Sequence, residues 1–114
     1  MENKNIIIIK KMIKYAEEVL SFASNISFDE FKDNRMVIAA CVFNISQIGE
    51  LVKVIDKNIV EKYTNIKWIA IRNIRHRIVH DYDGIQLELI WEVISADLAQ
   101  LITDLNEIIK KERY

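Results

Sequence analysis

The chain holds no proline and only two glycines, Gly49 and Gly84, among 114 residues. Those two residue types punctuate hairpins and tight turns, so their scarcity removes most routes to a sheet and leaves helices joined by short polar connections. A 51% hydrophobic composition in so short a chain suits a single domain over residues 1–114 with one modest core.

Helical periodicity supports this reading. Ile9, Ile13, Ala16, Leu20 and Ala23 recur at steps of three and four, predicting a first helix from about residue 4 to 24. Ser27 with Glu30 has the form of a capping box, and Ile26 with Phe31 the spacing of a hydrophobic staple, marking a second helix start. That helix follows Ile38, Val42, Ile45, Ile48, Val52 and Ile55 and is expected to run to about Tyr63 as the longest element. Gly49 interrupts it at a cost of about 1 kcal/mol relative to Ala, which predicts that another backbone passes close by. A third helix should begin near Ile66 and turn Trp68, Ile71, Ile74, Ile78 and Val79 inward. Asp83 and Gly84 should end it, with Asp83 and Gln86 opening a last helix. There Leu87, Ile90, Ile94, Leu98, Leu101, Leu105 and Ile108 form a heptad-like seam. The expected architecture is all-α, an antiparallel four-helix bundle.

The lone Cys41 lies in the apolar run MVIAACVFNI, which predicts a buried thiol acting as a small hydrophobe and a reducing compartment. The start MENKNIIIIKK has too short an apolar run for a signal core or a membrane crossing, so a soluble cytoplasmic protein without a membrane association is expected.

Net charge is −1, which argues against a general nucleic-acid coat protein. The distribution is more telling. Lys67 to His80 carries Lys67, Arg72, Arg75 and Arg77 with no acid, and IRHRIVHDY (Ile74–Tyr82) crowds two arginines, two histidines, an aspartate and a tyrosine together. Arg75 and His80 lie five residues apart, about 140° around an unbroken helix. To meet at one phosphate they need a helix that loosens near Asp81–Gly84 or a second copy of the chain. Given such a meeting, a neutral imidazole can deprotonate a ribose 2′-OH while a guanidinium holds the phosphorus centre bidentately, chemistry that needs no metal and selects RNA over DNA.

Plainer roles exist for each residue. His80 can interact with a helix C-terminal dipole, Arg77 and Asp81 can form an i,i+4 surface pair, and Tyr82 can staple onto Leu87. His76 and His80 are at metal-ligand spacing, but no third ligand accompanies them and the neighbouring arginines repel a dication. Neither a metal nor another cofactor is expected.

Arg75-x4-His80-x-Tyr82 resembles the R-x4-H-x-Y signature of the HepT-like branch of the HEPN superfamily, small all-helical ribonuclease toxins. QIGE at Gln47–Glu50, Trp68 at the third helix, RIVHDY with glycine two residues later, and LELIWEV at Leu87–Val93 are similar to the family pattern in order and spacing. The match runs from about Ile38 to Leu105. His76 stands where the family often has asparagine, and TNIKW replaces a segment commonly flanked by prolines. The resemblance implies a HEPN-like homodimer with the arginine and histidine sets facing a cleft between protomers, and metal-independent cleavage of tRNA or mRNA. It makes Arg75 the phosphate-binding group, His80 the base, and Tyr82 the residue to which a MntA-like nucleotidyltransferase antitoxin transfers AMP, as in a type VII-like toxin-antitoxin system. Arg72, His76 and Glu50 are supporting candidates, Glu50 on condition that Gly49 lets the third helix approach. Two other readings stay open: a non-catalytic helical subunit that binds a nucleotide or a nucleotidyltransferase, and a purely structural helical dimer.

Overall fold

The computed structural model describes residues 3–80 and 87–113, apart from the side chains of Arg75, Ile78, Val79 and His80. Every regular element among them is helical: α1 (Lys4–Phe22), α2 (Phe28–Lys32), α3 (Arg35–Val52), α4 (Lys57–Lys62), α5 (Trp68–His80), α6 (Leu87–Glu92), a π turn (Val93–Asp97) and α7 (Leu98–Glu112). The all-helical bundle expected from composition is therefore observed.

Local chemistry sets the boundaries. Asn3 opens α1 by accepting from the Ile6 amide. Past its end, Asn25 takes φ 64°, a left-handed conformation that Asn tolerates better than most side chains. The Ser27 box forms in full, with Glu30 N donating to Ser27 Oγ at 3.1 Å and Ser27 N donating to Glu30 Oε1 at 2.9 Å. It opens only the five residues of α2, however, and not a helix reaching Tyr63. Asn34 restarts the chain by capping the Val37 amide at 3.1 Å, and α3 stops at Val52, after which Asp56 precedes α4. The expected long second helix is thus three helices, because Asn34 caps a fresh start at the first break and the Asp56 amide, bonded to Asn5 Oδ1, is drawn off at the second. The longest continuous run is α6 through α7, and the π turn within it is marked by Leu98 N–H donating to Val93 O, five residues back.

Contacts fix an up-down-up-down order. Asn5 at the start of α1 exchanges hydrogen bonds with Asp56 beyond the end of α3, at 3.0 Å each. Nearer the other end, Asn44 of α3 donates to Tyr15 O at 3.3 Å and to Glu18 Oε1 at 2.9 Å, so α1 and α3 are antiparallel. Trp91 of α6 packs on the rings of Phe28 and Phe31, while Glu112 at the far end of α7 accepts from Lys62 at 2.7 Å and from the Tyr63 hydroxyl. The core runs along α1 and α3 through Ile9, Met12, Phe31, Ile48, Leu105 and Ile108. Seam residues Ile90, Ile94, Leu98, Leu105 and Ile108 are buried as the spacing implies, and Leu87 and Leu101 pack at its edge. Cys41 is fully buried, and burial pushes its thiol up to about 11.

Candidate active site

α5 carries the motif, and two contacts set its position. At its start, Trp68 is buried and its indole N–H donates to Tyr63 O at 2.9 Å, tying the helix to the chain leaving α4. Three residues on, a Cβ built on Gly49 would lie 2.9 Å from Ile71 O and 3.4 Å from Arg72 O. The close backbone approach inferred from Gly49 in mid-helix is thus present, and it lies between α3 and α5. Gly49 near the end of α3 meets residues 71–72 near the start of α5, so these helices are antiparallel. The Arg75–His80 half of α5 therefore runs toward the end of the bundle where α3 begins.

Among the supporting candidates, Arg72 and His76 are exposed on α5, as is Arg77. Glu50, next to Gly49, is half-buried and holds Lys53 Nζ at 2.6 Å. Arg75 and His80 are on unbroken helix, which places their backbone positions about 140° apart around the axis. Tyr82, the expected helix stop at Asp83–Gly84 and the cap at Asp83 lie outside the described residues.

One feature was missed at the level of sequence. α5 packs on α3 but stands off from the π turn and α7, leaving a groove of about 700 Å³ floored by Ile45, Ile48 and Ile66. Lys67, Ile74 and Arg77 form one wall, and Glu92, Asp97 and Asp104 stand along the other. A signal for the π turn was available: the seam steps by four twice, Ile90 to Ile94 to Leu98, where a strict heptad would have returned to Asp97. That extra residue coincides with the π turn, a feature often found at functional sites.

A helical bundle in which α5 packs on α3 and carries Arg75 and His80, with Tyr82 two residues on in the sequence, fits the HEPN resemblance. The HepT-like ribonuclease family model matches residues 12–111, and the chain belongs to the HepT-like ribonuclease family of the HEPN superfamily. It is 29% identical over 105 residues to "Putative RNase TTE0752" of Caldanaerobacter subterraneus subsp. tengcongensis, covering 92% of this chain and 94% of that one. It is 27% identical over 99 residues to "Putative RNase MJ0127" of Methanocaldococcus jannaschii, covering 87% and 82%. Over 93 residues it is 25% identical to "Probable ribonuclease HepT" of Thermococcus cleftensis, covering 82% of each. No solved structure matches the chain.

Proposed function

We propose that this chain is the toxin of a toxin-antitoxin pair and acts in the cytoplasm as a metal-independent endoribonuclease on tRNA or mRNA. The observation that carries this reading is membership of the HepT-like ribonuclease family by a chain that keeps Arg75, His80 and Tyr82 at the family spacing. His80 takes the proton from a ribose 2′-OH. The resulting oxygen attacks phosphorus, the P–O5′ bond breaks, and a 2′,3′-cyclic phosphate and a 5′-hydroxyl result once the leaving oxygen is protonated. Arg75 holds the phosphoryl oxygens as negative charge builds on them. The helical separation of the pair is overcome by two copies of the chain sharing one cleft, each giving one group to the substrate. Arg72 and His76, exposed on the same helix, guide the RNA backbone toward that cleft.

Control comes from a MntA-like nucleotidyltransferase. The Tyr82 hydroxyl attacks the α-phosphorus of ATP, pyrophosphate leaves, and a phosphodiester anion is fixed two residues from His80 in sequence. That anion pairs with the α5 arginines and occupies the position of the substrate phosphate.

The test uses protein free of AMP, confirmed by intact mass, incubated with total RNA in EDTA. Cleavage should proceed, and His80→Ala and Arg75→Ala should each slow it by about 10²-fold or more. Protein co-expressed with its nucleotidyltransferase should gain AMP mass that is absent in Tyr82→Phe. Cleavage abolished by EDTA, or undiminished in His80→Ala, would overturn the mechanism.

A further inference from the structure

Tyr63 ties three helices together. Its amide donates to Ile59 O of α4 at 3.1 Å, its carbonyl accepts from the indole of Trp68 at the start of α5 at 2.9 Å, and its hydroxyl donates to Glu112 Oε2 at the end of α7. The ring between these groups is buried. Lys62 Nζ reaches the same Oε2 at 2.7 Å. The hydrogen bonds from Lys62 and then from Tyr63 hold the Glu112 carboxyl below its ordinary value, so both donors grip an anion. Glu112 stands where its own helix disfavours it. The last turn of a helix carries partial negative charge and suits cations, such as Lys110 and Lys111, whereas a carboxylate there works against the dipole. Its side chain is also only 21% exposed, so it has given up much of its water. The contacts with Lys62 and Tyr63 offset both costs.

What these contacts hold is the start of α5. That helix packs on α3 and stands off from the π turn and α7, with the groove on its open side, so its angle depends on few points. Gly49 sets the distance between the two backbones at Ile71 and Arg72. Trp68, about one turn earlier, sets where the helix begins, and it does so through Tyr63. From Trp68 to His80 the helix has 13 residues, about 18 Å of rise. A tilt of about 3° at the start therefore moves the far end by about 1 Å. Misplacement on that scale costs on the order of 10²-fold in rate when the displaced groups do the chemistry.

We propose that Glu112 is a positioning residue for the motif helix: acting through Tyr63, it fixes where α5 starts and hence where the backbone carries Arg75 and His80 at the other end. The proposal rests on the nuclease reading above and adds to it a contact that lies on a different helix, at the end of α5 away from the motif.

Glu112→Ala and Tyr63→Phe in the full chain test this by two readouts. In RNA cleavage, each should lower kcat by about tenfold or more while KM stays within about twofold, and the double variant should be no slower than either single one, because both break the same link. Lys110→Ala, one turn away and 74% exposed, should match wild type. In hydrogen exchange followed by NMR, the Trp68 indole N–H should speed up by about tenfold in both variants, and by more than the Ile45 amide of α3, which reports opening of the whole bundle. Should Glu112→Ala lose its helical circular dichroism, the same comparisons are made with Glu112→Gln, which keeps the shape and gives up the charge. Cleavage equal to wild type once the unfolded fraction is subtracted, additive losses in the double variant, or an indole that gains no more than Ile45 would overturn the proposal. A wild type that leaves RNA intact would overturn the nuclease reading instead, and the two exchange rates then decide the seating of α5 by themselves.

Discussion

Gly49→Ala isolates the contact that seats α5. In a free helix this change stabilises by about 1 kcal/mol, because Gly carries the larger entropic cost. Here the new methyl would lie 2.9 Å from the Ile71 carbonyl and 3.4 Å from that of Arg72. Both are backbone atoms of an intact helix, so neither can swing aside, and α5 must back away by a few tenths of an ångström. Overpacking of this kind costs roughly 1–3 kcal/mol. The propensity gain offsets part of it, leaving a net loss of up to about 2 kcal/mol. For a domain of this size that corresponds to a fall in Tm of up to about 10 °C, readable by thermal and urea melts. Because the displaced helix carries Arg75 and His80, RNA cleavage below the melting range should fall by more than the unfolded fraction explains. A variant that is about 1 kcal/mol more stable than wild type, with undiminished cleavage, would show that α3 and α5 are not in backbone contact at this point.

Two further outcomes follow from packing at named atoms. Trp68→Phe removes the indole N–H that reaches Tyr63 O at 2.9 Å in a buried setting; it should cost about 1–3 kcal/mol in urea melts, since the carbonyl keeps only the long 3.4 Å bond from the Ile66 amide. Cys41, whose thiol is held up at about 11 by burial, titrates in the unfolded chain near its ordinary value of 9.0. Below pH 9 both states keep the proton; between pH 9 and 11 only the unfolded chain releases it, so stability falls there by about 2–3 kcal/mol. Cys41→Ala should lack this part of the alkaline decline, and native Cys41 should react with an aromatic disulfide reagent only as fast as the protein opens.

How far the chain could be read in advance depended on whether a signal was local. The Ser27–Glu30 box and the α7 seam are determined within a turn or two, and each formed where its residues indicated. The extent of the helix after Ser27 was misjudged because the apolar repeat at Ile38, Val42, Ile45 and Ile48 continues in register with Val52 and Ile55, and periodicity does not report where the backbone finds other partners. Asn34 holds that information as a cap residue, a local signal weaker than the repeat around it. Gly49 was legible as a close approach, since mid-helix glycine has few other justifications, and the antiparallel neighbour could be guessed. The groove beside α5 was not. It is formed by α5 standing away from the π turn, a relation between elements distant in sequence, and its carboxylates look like ordinary solvated positions when read in a line. The motif was legible as residue types and spacing, while the 140° between Arg75 and His80 on an unbroken α5 leaves their meeting beyond what local sequence encodes.

The composition of α3 becomes intelligible when its three directions are taken together. At 100° per residue, Phe43 is about 100° from Asn44 and about 120° from Gly49, so these three residues divide the circumference nearly evenly. Asn44 points to α1, where it meets Tyr15 O and Glu18. Gly49 points to α5, where it meets the carbonyls of Ile71 and Arg72. Phe43 points outward and is exposed. Two of the three directions are thus taken by helices of the same domain, which accounts for most of the apolar character of an 18-residue element with two charges without invoking a bilayer. The same arrangement joins packing to chemistry, because a shift of α3 at Gly49 meets the α5 backbone at Ile71 and Arg72 directly. A substitution at Ile48, fully buried on α3 beside Gly49 and on a different helix from Arg75 and His80, should therefore depress cleavage by loosening the surface against which α5 is seated.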